Sequence, residues 1–277
     1  MRRMSRRSIF LLAALVVFLY FSVIVFMLSP LHGAKSSYYS GYMNNLAFRQ
    51  IPSVNWCKEL RWKSPPSRHV VALASYPGSG NTWLRYLLQQ VTGIVTGSIY
   101  MDYGLRVHGF PAENMTDGSV LVVKTHEAPP VEPDKFHSAI LLIRNPRDAI
   151  LADFNRLHKG HIGTAPKSLT TWESLHHLWL TKFAGPVHVV FYEVLVRDTK
   201  NSLKSMLNFI GHNFTEADMN CALTRKEGIY RRKKKLQDFD PFTADMYQAL
   251  DSVRNKIYLL NMFKSHLHFL VVNLSNG

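Results

Sequence analysis

The chain has 277 residues, 47% of them hydrophobic, with 33 Lys and Arg against 19 Asp and Glu and a formal net charge of +14. That length holds one sizeable domain with short additions, not a string of large ones, and the apolar share excludes a wholly disordered chain. The basic surplus points to an anionic partner (a nucleotide, an acidic glycan, a membrane surface or nucleic acid) without choosing among them. Two cysteines, Cys57 and Cys221, are too few for a disulfide framework or a structural zinc site. A single Cys57–Cys221 bridge and two buried thiols both stay open.

In chain order, Arg2, Arg3, Arg6 and Arg7 precede twenty uncharged residues at 9–28. As a helix this stretch would be about 30 Å long, the thickness of a bilayer core. Positive residues stay on the cytoplasmic side. The expectation is therefore a cytoplasmic tail at 1–8, a transmembrane signal anchor at 9–28 and the bulk of the chain in the lumen or outside. A cleaved signal peptide is the alternative, with an apolar core of about 7–15 residues ending in small side chains. This run is longer and ends in Phe26, Met27 and Leu28. Sequons at Asn114, Asn213 and Asn273 are each weak signals, and together they fit a luminal, N-glycosylated domain.

Residues 29–68 are polar and mixed and read as a stem, although Trp56, Leu60 and Trp62 could instead pack on a domain. The domain itself is expected at 69–264. The apolar run 70–76, bounded by Pro77 and Gly78, predicts a buried strand. Residues 82–91 have helical spacing, with Trp83, Tyr86, Leu87 and Gln90 grouped on a face. Strands follow at 120–125, 139–143 and 187–192. Helices are expected at 147–157, 171–184, 201–210 and 215–226, with a last one from 241 to about 263. Residues 265–277 form a tail of uncertain role. Strands separated by helices predict an α/β fold: a P-loop-type three-layer sandwich with a central parallel sheet, preceded by the transmembrane helix. Ligands in such sheets bind beyond the carboxyl ends of the strands.

The motifs fall at those ends. Residues 75–83, SYPGSGNTW, link the first strand to the first helix. Glycines let the backbone turn sharply, and free N–H groups at a helix start favour an anion. An ordinary strand-to-helix turn is the plainer reading. No Lys follows Gly80, so this is not a Walker A loop, which counts against an ATPase or kinase.

YPGSGNTW resembles the 5′-phosphosulfate loop of sulfotransferases, usually written YPKSGTTW. Tyr76, Pro77, Ser79, Gly80, Thr82 and Trp83 match, and Gly78 stands where cytosolic members carry a catalytic Lys. The resemblance gives cofactor contacts to Pro77, Gly78, Ser79, Gly80, Asn81, Thr82 and Trp83. Residues 122–127, VVKTHE, are similar to the KTH segment, whose His is the general base. His126 would take the proton from an acceptor hydroxyl. Lys124 would neutralise the sulfuryl oxygens in place of the missing loop Lys, without a metal. Glu127 would orient His126 or act as the base itself. Read alone, a His at a strand end beside Lys and Glu is often just surface, and the chain has 13 histidines.

Residues 140–148, ILLIRNPRD, are similar to the 3′-phosphate segment, in which the planar fork of Arg144 would hold the phosphate. The Ser usual eight residues later is Ala152 here. Arg147 and Asp148 read as helix-start chemistry. The basic run at 225–235 is either a solvated loop or a flap over the nucleotide. Compared with the family's RKG…WK…FT stretch, Gly228 and Arg231 take cofactor contacts.

With FNRLHKGHIG at 154–163, VVFYE at 189–193 and KEGIYRRK at 226–233, the set resembles the WSCD family of Golgi-type sulfotransferases. The resemblance covers about residues 69–255. The chain is a short form, without the cysteine-rich WSC modules of some relatives. The resemblance implies a Golgi membrane enzyme that takes its sulfuryl group from 3′-phosphoadenosine-5′-phosphosulfate (PAPS), with no metal. Its acceptor would be a hydroxyl of an acidic glycan, sialylated glycans among them. A homodimer is compatible with it, and a nucleic-acid role is not expected behind a signal anchor. Gly78 and Ala152 sustain one alternative, a nucleotide-binding pseudoenzyme or membrane scaffold without transfer activity.

Overall fold

Val, Leu and Ala fill the first strand, β1 (Val71–Ser75), because both of its faces are covered: all five residues are buried. Val71 and Leu73 join one apolar cluster, while Ala72 and Ala74 join another, the period-two split of a sheet between two layers. A computed structural model describes residues 54–132, 135–158, 166–230 and 242–275. The expected tail at 1–8, the anchor at 9–28, most of the stem and Arg231 lie outside the described residues. Among the described residues no helix is long and apolar enough to cross a membrane.

The sheet is parallel throughout, in the order β2-β3-β1-β4-β5. Its other strands are β2 (Gly97–Ser98), β3 (Val123–Thr125), β4 (Ser138–Ile143) and β5 (Val187–Phe191). The helices are α1 (Asn81–Thr92), α2 (Tyr103–Val107), α3 (Pro146–His158), α4 (Pro166–Thr181), α5 (Tyr192–Arg197), α6 (Thr199–Phe209), α7 (Glu216–Thr224) and α8 (Ala244–Ser275). Helices α1, α5, α6 and α7 cover one face, and α3, α4 and α8 cover the other. The helices after β1 and β4 thus leave to opposite faces, which opens a crevice beyond the carboxyl ends of these adjacent strands.

The expected elements form, with shifts. The strand expected at 120–125 keeps only Val123–Thr125, because the chain still bends at 120–121 after a turn in which Asp117 Oδ1 accepts from Ser119 N. The strand expected to reach residue 192 stops at Phe191, and Tyr192 opens α5. The grouped face expected on α1 is exceeded, since every residue of that helix except Thr82 is buried. The last helix runs on to Ser275, through most of the segment set apart as a tail. β2 and α2 were not expected; two residues of strand and five of helix carry no period to read.

Residues 54–68 of the expected stem lie against the domain. Cys57 N donates to Gln90 Oε1 at 2.8 Å, Gln90 Nε2 donates to Asn55 O at 3.0 Å, and Arg61 N donates to Gly93 O at 2.8 Å. Cys57 is disulfide-bonded to Cys221, 164 residues away, which resolves the open question of the thiols. Trp56 and Leu60 pack on the core, while Trp62 is exposed.

Candidate active site

The loop after β1 turns through two left-handed glycines, Gly78 (φ 79°) and Gly80 (φ 93°). A Cβ on Gly78 would stand 2.3 Å from the Ala149 carbonyl oxygen, and one on Gly80 would stand 2.6 Å from the Tyr192 ring. Any side chain there would therefore push the loop off α3 or α5. Gly80 leads into α1 with no side-chain cap, so the first N–H groups of that helix have no capping side chain. Ser79 Oγ and Asn81 Oδ1 are buried and lack a hydrogen-bond partner. Buried polar atoms of this kind cost stability unless a ligand or water satisfies them.

Arg144 ends β4 beside this loop. Its Nη1 donates to Gly78 O at 2.8 Å, its guanidinium lies 4.5 Å over the Tyr192 ring, and its Nε is buried without a partner. Asn145, next along, caps α3 by accepting from Arg147 N at 3.0 Å, and its own N–H donates to Glu193 Oε1 at 2.9 Å. Helix-start chemistry for this segment is thus carried by Asn145. Asp148 adds an acid to the first turn. The Arg147 guanidinium lies 5.0 Å over the Tyr247 ring.

His126 follows β3. Its Nδ1 lies 2.7 Å from the Ser75 carbonyl oxygen. A carbonyl can only accept, so Nδ1 carries the proton, and in the neutral ring Nε2 carries the lone pair. Ser75 Oγ is 3.3 Å from Nδ1 and receives Asn81 Nδ2 at 3.0 Å, which joins the phosphate loop to the imidazole. Tyr100 holds the opposite side. Its hydroxyl accepts from His126 N at 3.0 Å, its ring stacks 5.8 Å from the imidazole, and Lys124 Nζ lies 5.7 Å over the same ring. The Ser75 carbonyl thus holds the Nδ1 side of the His126 ring. Glu127 is exposed, and its own carbonyl accepts from Trp179 Nε1 at 2.9 Å. Trp172 Nε1 donates to Arg144 O at 3.2 Å, so two indoles seven residues apart on one face of α4 pin the ends of β3 and β4. Between them His176 is fully buried, its Nδ1 donating to Trp172 O at 2.6 Å, and burial lowers its pKa to about 4.

The segment 225–230 packs on α1. Trp83 Nε1 donates to Lys226 O at 2.7 Å and Tyr86 OH to Arg225 O at 2.6 Å, while Gly228 lies against the Tyr86 ring. Gly228 and Trp83 therefore meet each other's elements, whereas Ser79, Asn81, Arg144 and His126 meet around the crevice. Tyr100, Ser75, Tyr192 and the indole pair escaped the sequence reading, because each acts through a partner distant in sequence.

The segment 68–238, more than half of the chain, matches the family model described as the sulfotransferase domain. A WSCD family member of Aedes aegypti is 44% identical over 257 residues, covering 78% of this chain and 81% of that protein. One of Drosophila melanogaster is 48% identical over 206 residues, covering 68% and 65%. The chain belongs to the sulfotransferase family, in its WSCD branch. Among solved structures, a mouse sulfotransferase complexed with PAP aligns with a TM-score of 0.49 at 17% identity, covering 73% of this chain and 89% of that one. A retinol dehydratase in complex with androsterone and inactive cofactor PAP aligns with 0.43 at 16% identity, covering 70% and 81%.

This sulfotransferase meets the expectation of an α/β domain with a central parallel sheet. Its crevice fits an anionic group. The uncapped α1 start, Ser79 Oγ and the buried Nε of Arg144 supply hydrogen-bond donors for an anion where one would otherwise be missing.

Proposed function

We propose that this sulfotransferase moves the sulfuryl group of PAPS onto a hydroxyl of an acidic glycan, from a domain held in the Golgi lumen by the 9–28 anchor. One observation carries the reading: His126, its Nδ1 turned to the Ser75 carbonyl, shares one sheet edge with the uncapped start of α1 and with Arg144. When bound, the donor supplies the sulfuryl group and leaves as PAP. Residues 78–83 hold its 5′ end through backbone N–H groups and Ser79 Oγ, and Arg144 holds the 3′-phosphate. His126 Nε2 receives the proton of the attacking hydroxyl, and the Ser75 carbonyl keeps the ring turned for that transfer. Lys124, seated over Tyr100, neutralises charge on the transferring oxygens. The net charge of +14 and the basic run at 225–235 favour an acidic acceptor. The luminal placement rests on residues 9–28, and Asn114 and Asn213 are exposed, as glycosylation requires.

The second reading, donor binding without transfer, draws on Gly78, whose packing against Ala149 leaves no room for a loop Lys. Transfer of labelled sulfate from PAPS by the full chain in detergent separates the two. The enzyme reading expects label on sialylated glycan, less on the desialylated form, and none with His126→Ala. Saturable PAP binding with no label on any glycan would decide for the second reading.

A further inference from the structure

A groove of about 360 Å³ opens at the amino ends of β1 and β4, on the sheet edge opposite the phosphate loop. At about 3.3 Å per residue, the length of β1 puts it about 16 Å from the candidate active site. One lysine and three histidines line it: Lys63, His69, His137 and His212. No acidic residue is among its described lining, and Val71, Leu121 and Ile210 supply apolar surface.

The fold holds these groups in place. Lys63 N donates to Ser119 O at 2.7 Å and Ser67 N to Gly118 O at 2.9 Å, which fixes the strap along one wall. His137 N donates to Val70 O at 2.8 Å, and the His69 and His137 rings lie 3.9 Å apart. Helix α6 ends here, but its last carbonyls are taken by the N–H groups of Ile210, Gly211 and His212, so they do not offset the cations. Burial, then Lys58, Lys63 and Arg61, oppose protonation of His212. The carboxylate among its charged neighbours, Asp218, is paired with Lys58 Nζ at 2.8 Å. Lys63 is thus a cation without an acid in the described lining of a half-closed, partly apolar groove, and the imidazoles add N–H donors, a combination that attracts an anion.

We propose that this groove binds a sulfate group, free or as the ester of a sugar, at a site separate from the transfer reaction. Lys63 and His212 hold the oxygens from one wall and the His69–His137 pair from the other, with a sugar ring resting on the apolar side. The proposal does not depend on the activity proposed above.

Calorimetric titration of the full chain in detergent, with saturating PAP present, tests it with inorganic sulfate, galactose 6-sulfate and galactose. The anions bind at one site, and the double variant Lys63→Gln/His212→Gln weakens that binding at least about tenfold, the loss expected for hydrogen bonds to charged groups. Tighter binding of the ester than of inorganic sulfate assigns the site to a sugar-borne group; equal binding assigns it to the free anion. Galactose binding as tightly as its sulfate, equal affinity in wild type and double variant, or no binding of either anion overturns the proposal. Unchanged PAP affinity in the double variant checks its fold, and Lys63→Gln alone is read if that check fails.

Discussion

Replacing Arg144 by Ala should remove most of the nucleotide affinity, and the size of the loss can be worked from its surroundings. The guanidinium spends one N–H on Gly78 O and presents a buried, unpartnered Nε. A charge-assisted hydrogen bond is worth about 1.5–3 kcal/mol, so two of them to a phosphate give about 3–6 kcal/mol. Arg144 is partly exposed, and solvent screening favours the lower half of that range. At about 1.4 kcal/mol per factor of ten, Kd for PAP should rise about 10²–10³-fold. Arg144→Lys keeps the charge without the fork and cannot bind phosphate and Gly78 O in the same geometry, so it should fall between the two. Calorimetry with PAP on the full chain measures this, with a thermal melt as the check on folding. A folded Arg144→Ala variant binding PAP within about threefold of wild type would refute the assignment, since a single lost neutral contact costs about that much.

Tyr100→Phe should lower kcat several-fold, through the lost hydrogen bond to His126 N, and Tyr100→Ala about 10–100-fold, because the seat of Lys124 goes too. KM for PAPS should stay unchanged in both, and a matching rise in KM would mean the ring serves the donor site instead. Gly78→Lys, which restores the usual family residue, should lose PAP binding without gaining rate, because its Cβ meets the Ala149 carbonyl at a φ of 79°; a faster enzyme would contradict that geometry. Arg85 is fully buried, with Nη1 2.6 Å from Glu113 Oε1 and two further bonds to Thr96. Arg85→Met should therefore cost about 3–5 kcal/mol by stranding the Glu113 charge, and Arg85→Met/Glu113→Leu should recover much of it in denaturant melts. His176, lowered to about 4 in the folded chain, takes up a proton more readily when unfolded. Its contribution to stability is thus full above about pH 6.5 and is lost as pH falls from there towards 4, by about 3 kcal/mol in all. His176→Gln should flatten that part of a stability–pH curve, and an unchanged slope would place the titration elsewhere.

Much of this protein was legible along the chain because the relevant patterns are local. The apolar run at 70–76, the helical spacing at 82–91 and the strand at 139–143 are set by burial on both sheet faces, and each appears within two residues of its expected place. The glycine loop, the Lys-Thr-His strand end and Arg144 are contiguous motifs, so their order alone marked the carboxyl edge of a parallel sheet and the family. Tertiary structure decided what depends on partners far apart in sequence. The choice of Nε2 as the basic atom of His126 comes from a carbonyl 51 residues upstream. The pinning of Glu127 and Arg144 comes from indoles on α4, and the pairing of Cys57 with Cys221 joins residues 164 apart. The buried Arg85–Glu113 pair looks in the sequence like two ordinary surface charges. A periodic pattern records how strongly each position is drawn from water, whereas a hydrogen bond or disulfide records which atoms meet once the sheet has brought distant loops to one edge.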